Sequence, residues 1–297
     1  MRVFVTGATG FIGSAIVQEL LNAGHQVTGL ARSEKSAAAL KAAGVAVHYG
    51  TLSDPQSLAS GAAAADGVIH TAFNHEFIDF QKDCAIDQAA IAAMGQALLG
   101  SGRPLVVTSG TAILPSGTLA TEEMKVELHD ASHPRAASEQ ALLGLAEQRV
   151  RAMVIRLPPT VHGEGDHGFV PMLIELARTK GLSAYIAQGE NRWPAVHRFD
   201  AARLYRLALE QGVAGARYHA VAEQGIAMKS IAEAIGQHLS LPVTSLIGEA
   251  AADHFGWLGA FVAKDNLSSS EMTRRALGWT HEHPGLLHDL QHAGYFA

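Results

Sequence analysis

Three glycines near the start of the chain have the spacing of a loop that binds phosphate groups. Gly7, Gly10 and Gly13 follow an apolar run at residues 3–5 and precede a stretch with helical periodicity. Glycine allows a tight turn and a close approach of the backbone to an anion, and the third glycine lets the helix pack against the strand. The N–H groups at the start of that helix attract a pyrophosphate. The loop therefore predicts dinucleotide contacts at Gly7, Thr9, Gly10, Phe11, Ile12 and Gly13.

The second predicted strand ends at a positively charged residue, where an NAD-binding site has an acidic one. An NAD-preferring site uses an Asp or Glu there to accept a hydrogen bond from the ribose 2′-hydroxyl. This chain has Arg32 instead, followed by Ser33 and Lys35. A guanidinium binds a 2′-phosphate through paired, charge-assisted hydrogen bonds. Arg32 and Ser33 therefore predict NADP(H), with NAD(H) as the alternative if Arg32 is only a solvated side chain.

The segments that would position these residues alternate between strand-like and helix-like patterns. Strands are predicted at residues 3–6, 26–31, 45–49, 67–71, 104–108, 152–156 and 216–221. Helices are predicted at residues 11–23, 35–43, 83–99 and 134–148, with a short helix starting at 53–55. This alternation predicts a parallel sheet covered by helices on both faces.

The predicted fold class is therefore α/β, a Rossmann doubly wound parallel sheet with a smaller C-terminal α/β substrate-binding region. Residues 1–158 are predicted to form the NADP(H)-binding domain. Residues 159–297 are predicted to form mostly the substrate-binding region, because the alternation loosens there and loops rich in His, Gly and Pro begin. A strand-like run at 216–221 predicts that residues of about 197–222 return to the main domain.

The glycine loop closely resembles that of the extended and atypical short-chain dehydrogenases/reductases, the NAD-dependent epimerase/dehydratase-like group. Residues 50–54, 106–111, 156–163 and 196–202 also resemble segments of this family, although Thr51 stands where an Asp is usual. The resemblance spans roughly residues 1–210. It implies further cofactor contacts at Thr51, Leu52, Thr71, Ala72, Phe73, Thr108 and Pro158.

The catalytic residues that the resemblance leads us to expect are missing. The family uses a Tyr as proton donor, a Lys four residues later and a Ser or Thr on the fifth strand. With the helix aligned on Ser138, Arg135 stands at the Tyr position and Glu139 at the Lys position. Arginine does not release its proton at ordinary pH, since its pKa is above about 12. Arg135 could instead hold a substrate carboxylate or a cofactor phosphate, with Glu139 pairing to it at i,i+4.

The Ser position falls near Gly110, between two other hydroxyl residues that could polarise a substrate carbonyl. A histidine or water would then have to deliver the proton, because imidazole titrates near neutrality. The catalytic candidates are Thr111, Ser109, His133, Arg135 and His162. The substrate-binding candidates are Asn74, His167, Trp193, His197 and Arg198, which should converge at the carboxyl ends of the strands. Any one of these histidines could instead be a structural hydrogen bonder.

Composition excludes several other classes of protein. The net charge of −6 and the lack of a Lys/Arg cluster argue against nucleic-acid binding. The apolar runs are too short to span a membrane. The first strand begins directly after Met1, so a signal peptide is not expected, and the single cysteine, Cys84, fits the cytoplasm. Four C-terminal histidines lack a fixed carboxylate partner, so no metal site is predicted.

These observations predict an NADPH-dependent oxidoreductase that reduces a small carbonyl, imine or activated alkene with a non-standard proton donor. The alternative is a non-catalytic NADP(H)-binding sensor or regulatory protein, as the loss of Tyr and Lys suggests. An epimerase or isomerase ranks third because it normally needs the missing Tyr. The expected partner is a small-molecule substrate. The resemblance also implies a homodimer through the helices at 83–99 and 134–148.

Overall fold

Seven parallel strands form the main sheet of the protein. The computed structural model describes residues 1–74, 79–126 and 134–296. In spatial order the strands are β10 (Arg217–His219), β6 (Arg151–Leu157), β5 (Pro104–Gly110), β4 (Gly67–His70), β1 (Arg2–Thr6), β2 (Gln26–Ala31) and β3 (Ala46–Tyr49). The strand order reverses between β1 and β4, which is the switch point where sheets of this type bind ligands. The predicted Rossmann fold is confirmed.

Helices cover both faces of this sheet. One face packs on α1 (Phe11–Asn22), α2 (Glu34–Ala42) and α7 (Arg198–Gln211). The other packs on α3 (Pro55–Ala63), α4 (Phe80–Ala97) and α5 (Ala136–Glu147). Along β1, Val3 and Val5 point to the first core and Phe4 points to the second, as strand geometry requires. Both faces are buried, which explains why the strands appear in the sequence as apolar runs.

The smaller C-terminal region has its own core. A three-stranded sheet runs in the order β11 (Glu223–Ala227), β9 (Arg192–His197) and β7 (Thr160–His162). A second sheet pairs β12 (Val243–Leu246) with β8 (Ser183–Ile186). The remaining helices are α6 (Phe169–Lys180), α8 (Met228–Leu239), α9 (Gly248–Phe255), α10 (Gly259–Val262), α11 (Glu271–Leu277) and α12 (Leu286–His292). Between β9 and β11 the chain returns to the main sheet as α7 and β10.

A C-terminal segment anchors the loop that follows β5. The amide of Gly117 donates to the carbonyl of Asp265, and Ala120 forms a parallel bridge with Ser268. These contacts bring residues 264–268 to the carboxyl end of the main sheet, where the predicted site lies. In the parts of the chain described, no helix has the length and apolar character needed to cross a bilayer.

Candidate functional site

The glycine loop has the geometry that its three glycines predict. Gly7 has a positive φ of 69°, and the amide of Gly10 donates to its carbonyl at 2.9 Å. A Cβ on Gly13 would lie 1.9 Å from the carbonyl oxygen of Gly7, so no larger residue fits there. No side chain of the described residues caps the start of α1 at Gly10. The first-turn N–H groups are therefore available to bind an anion.

Arg32 and Ser33 lie at the carboxyl end of β2, as the sequence predicts. Arg32 is exposed and makes no ion pair or hydrogen bond with any described residue, so its guanidinium is available. Ser33 caps α2 instead, because its hydroxyl accepts from the amide of Ser36 at 3.3 Å. At the end of β3, Thr51 is exposed and Leu52 packs against the second core.

The residues after β4, Thr71 and Ala72, lie at the switch point between β1 and β4. We call the region outside the carboxyl ends of these strands the crevice. The Thr71 hydroxyl donates to the carbonyl of Thr6 at 2.8 Å, and the Ala72 amide donates to the Thr6 hydroxyl at 3.3 Å. Thr108 is also predicted to contact the cofactor. Its hydroxyl donates to the carbonyl of His70 at 2.8 Å and lies 2.7 Å from the hydroxyl of Tyr205. Pro158 is buried directly after β6.

A buried polar network lies beneath the crevice, and the sequence analysis missed it. The Nδ1 atom of His70 lies 2.6 Å from the Thr6 hydroxyl, and its Nε2 lies 3.1 Å from a carboxylate oxygen of Asp87. The hydroxyl of Ser138 donates to the other oxygen of Asp87 at 2.6 Å. Burial alone would raise the pKa of Asp87, but the hydrogen bond from His70 and the charge of Arg135 outweigh it and lower that pKa. The sequence contains one indication of this network, because His70 ends a strand that is otherwise apolar.

Arg135 reaches the crevice from the start of α5. Its Nη2 donates to the carbonyl of Thr108 at 2.8 Å, and its guanidinium carbon lies 4.0 Å above the ring of Phe73. Asp87 lies 3.9 Å away, within ion-pair range but beyond hydrogen bonding. Arg135 is therefore a permanent cation held at the carboxyl ends of β4 and β5.

The predicted pair between Arg135 and Glu139 does not form. Glu139 instead accepts two hydrogen bonds from Arg156, at 2.9 and 2.7 Å, and both side chains are buried. Arg156 lies on β6, so Glu139 faces the sheet while Arg135 faces the crevice.

The two candidate hydroxyls differ in their surroundings. Thr111 is fully buried, donates to the side-chain oxygen of Asn266 at 2.7 Å, and accepts from the Asn266 amide at its carbonyl. Its hydroxyl proton is therefore directed at Asn266 in this structure. Ser109 is 5 % exposed, and its hydroxyl has no partner among the described residues. Lys264, which the sequence analysis did not single out, donates its amine to the carbonyl of Ala112.

Two of the candidate histidines, His162 and His197, are held by residues of the C-terminal half of the chain. His162 is fully buried, with its Nδ1 atom 2.6 Å from the carboxylate of Asp289 on α12. His197 accepts from the amide of Phe199 and stacks on His283 with ring centroids 4.5 Å apart. Burial, followed by the nearby His283, lowers the pKa of His197 to about 4. The Nε2 atom of His162 is buried and has no partner among the described residues, and His133 lies outside those residues.

Of the other predicted substrate contacts, Arg198 and His167 lie against the start of α1, and Asn74 lies beside α4. Arg198 donates to the Ser14 hydroxyl at 2.8 Å and lies 4.5 Å above the ring of Phe11, so it rests on the first turns of α1. The ring of His167 meets the ring of Phe11 edge-on at 5.7 Å. Asn74 is exposed after β4 and donates to Asp83 at 3.0 Å.

Trp193, predicted to contact the substrate, is a core residue instead. It is 1 % exposed and belongs to the core of the C-terminal region. Its indole N–H donates to the carbonyl of Phe261 at 3.2 Å, which satisfies its only polar atom. The side chain therefore stabilises this region and is not accessible to a substrate.

Comparison with known proteins identifies the family. Residues 3–222 match the model of the NAD dependent epimerase/dehydratase family. The chain belongs to this family. Its members bind NAD(P), which agrees with the glycine loop and the uncapped helix of this chain.

The chain also resembles individual family members. It is 54 % identical over 297 residues to a protein from Schizosaccharomyces pombe whose name assigns no function, with 100 % of both chains covered. It is 30 % identical over 227 residues to 2-alkyl-3-oxoalkanoate reductase from Stenotrophomonas maltophilia, covering 73 % of this chain and 67 % of the relative. Among solved structures, dTDP-glucose 4,6-dehydratase from Streptomyces venezuelae, with NAD bound, has a TM-score of 0.76 at 20 % identity, covering 98 % of this chain and 96 % of that one. That last similarity shows the fold.

Proposed function

We propose that the protein is an NADPH-dependent reductase of small carbonyl compounds, with imines and activated alkenes in the same reaction class. The observation that carries the proposal is the position of Arg135, a fixed cation at the carboxyl ends of β4 and β5. A positive charge at this position attracts anionic groups that enter the crevice. It also stabilises the negative charge that develops on a carbonyl oxygen during reduction. The reductase name of the bacterial relative supports this direction.

The choice of NADP(H) over NAD(H) rests on Arg32. Its guanidinium is exposed at the end of β2 and has no partner among the residues that the structure describes. A 2′-phosphate at this strand end would accept two of its N–H groups. Bound NADPH would supply the hydride.

The proton for the product oxygen comes from water in this proposal. Arg135 does not release a proton in the physiological range. Tyr205 is fully buried against Thr108, and burial raises the pKa of its phenol well above the usual value. His162 is buried against Asp289. Ser109 would hydrogen-bond the carbonyl oxygen, the nearby charge of Arg135 would stabilise it, and water would protonate it as hydride reaches the carbon.

The test is NADPH oxidation with a panel of small ketones, aldehydes, oxo acids and imines. We expect turnover of at least one unhindered compound, with a slower reaction in Arg135→Met. Arg275→Met is the control because Arg275 is exposed on α11 and pairs there with Glu271. Stoichiometric NADPH binding without turnover of any panel member would contradict the proposal.

A non-catalytic NADP(H) sensor is the second candidate. It is favoured by one observation: Thr111 and His162, two predicted catalytic side chains, are committed to Asn266 and Asp289. A sensor requires that NADPH and NADP⁺ bind with different affinities. Equal affinities, measured by calorimetry, would exclude it.

A homodimer and a cytoplasmic location complete the proposal. The outer face of α4 carries exposed uncharged residues that suit a helix-packing interface: Ala85, Gln88, Ala89, Ala92 and Gln96. Cys84 is a buried free cysteine, which fits a reducing compartment.

A further inference from the structure

We propose that Arg135 binds a carboxylate on the substrate, so that the protein reduces oxo acids whose carboxylate lies one or two carbons from the carbonyl. This inference rests on the proposed reductase function and specifies its substrate class. The donors of Arg135, its fixed orientation and its position relative to Ser109 carry the argument.

The guanidinium of Arg135 has unused donors. An arginine offers five N–H donors in a planar fork. Within the described ranges, the Thr108 carbonyl is the acceptor of one of them, and the remaining four have no hydrogen-bond acceptor. The side chain is 16 % exposed, so the fork is sheltered but still reachable. Two parallel donors at fixed spacing match the two oxygens of a carboxylate.

The acidic neighbour of Arg135 does not use these donors. Asp87 lies 3.9 Å from Nη2, and its two oxygens accept hydrogen bonds from His70 and Ser138. Asp87 therefore offsets part of the charge of Arg135 without occupying its fork. The face of Phe73 lies 4.0 Å from the guanidinium carbon and, with the Thr108 carbonyl, fixes the plane of the fork. A preorganised fork loses little entropy when an anion binds.

Ser109 lies on the same side of β5 as Arg135. Leu105 and Val107 point into the core beneath α4 and α5, whereas Thr108 contacts Tyr205 on the opposite face. Because side chains alternate along a strand, Ser109 points to the α5 side. The guanidinium of Arg135 binds the carbonyl of Thr108, the residue next to Ser109. A substrate with its carbonyl at Ser109 and a carboxylate at Arg135 therefore needs only a short spacer between the two groups. A 2-oxo or 3-oxo acid has that spacing.

The kinetic test uses matched acids and esters. Wild-type protein and the variants Arg135→Met and Arg135→Lys are assayed with acetoacetate and methyl acetoacetate, and with 2-oxobutanoate and its methyl ester. We expect kcat/KM to favour the acid by about ten- to a hundredfold in the wild type, as a charge-assisted bidentate bond allows. Arg135→Met should lose this preference, and Arg135→Lys should keep part of it. An equal loss for acid and ester would overturn the carboxylate role.

A binding measurement separates the carboxylate site from catalysis. Oxamate is titrated into the NADPH complex of each variant, with NADPH fluorescence as the readout. Weaker oxamate binding in Arg135→Met, at unchanged NADPH affinity, supports the site even if no carbonyl is reduced. In that case the reductase function fails and the carboxylate site stands. A loss of NADPH affinity with unchanged oxamate binding would show that Arg135 serves the cofactor and would overturn the inference.

Discussion

Glu139 and Arg156 form a buried, two-hydrogen-bond ion pair between α5 and β6, with oxygen–nitrogen distances of 2.9 and 2.7 Å. The pair turns the carboxylate of Glu139 toward the sheet, away from Arg135, which leaves Arg135 as the basic group of this helix that faces the crevice. The same contact joins the helix to the strand on which it packs.

Glu139→Gln should destabilise the fold strongly. The substitution leaves the guanidinium of Arg156 buried without its counter-charge, which costs about 3–5 kcal/mol. The free energy of unfolding in urea measures the effect. Glu271→Gln, which breaks an exposed pair with Arg275, should change it by about 0.5 kcal/mol or less. The double variant Glu139→Leu/Arg156→Met should cost less than Glu139→Gln alone. A Glu139→Gln protein as stable as the wild type would contradict the importance of this pair.

His197 should make stability depend on pH between about 6.5 and 4. Burial, followed by His283, lowers its pKa to about 4 in the folded protein. Across this window the unfolded chain binds more protons than the folded one, so the free energy of unfolding falls as the pH falls. Because the ring is partly solvated, we expect a contribution of about 1–2 kcal/mol.

His197→Asn should flatten that pH dependence, because asparagine retains an acceptor for the Phe199 amide and does not titrate. The exposed His281→Asn is the matched control. Urea unfolding at pH 7, 5.5 and 4.5 measures the slope. Identical slopes for His197→Asn and the wild type would exclude the lowered pKa of His197.

Asp87 should contribute stability that acid removes. Its pKa is lowered in the folded state despite burial, through the hydrogen bond from His70 and the charge of Arg135. The contribution is therefore complete above the unfolded carboxyl pKa of about 4 and is lost as the pH falls through the lower folded pKa. Asp87→Asn should have a lower free energy of unfolding in urea than the wild type at pH 7. This difference should shrink below about pH 4. A difference that grows in acid would contradict this assignment.

Arg32→Asp should change the cofactor preference. An acid at this strand end accepts from the ribose 2′-hydroxyl of NADH and repels the 2′-phosphate of NADPH. We expect the Kd for NADPH to rise by about tenfold or more, while the Kd for NADH falls. Lys41→Asp, in the last turn of α2, controls for the added negative charge. If Arg32→Asp binds NADPH as the wild type does, Arg32 does not select the cofactor.

Local patterns in the sequence predicted the sheet and the glycine loop, because periodicity and glycine spacing depend on neighbouring residues. The contacts of the site depend on distant ones. A spacing of four residues suggested that Arg135 pairs with Glu139, but Arg156 on the adjacent strand provides a buried partner. His162 lies against Asp289, 127 positions away in the chain, and Thr111 against Asn266, 155 positions away. Nothing in the local spacing indicates that these segments meet.

In the proposed function, Arg135 lies where NADPH transfers hydride to a carbonyl. The most direct measurement is a single-turnover reaction with acetoacetate of NADPH that carries deuterium at both C4 positions, followed by mass spectrometry of the product. We expect deuterium on the former carbonyl carbon, and a transfer rate reduced by about a hundredfold in Arg135→Met, as for the loss of one charged stabilising donor. Bound NADPH that transfers no deuterium, or equal rates in the wild type and Arg135→Met, would contradict the account.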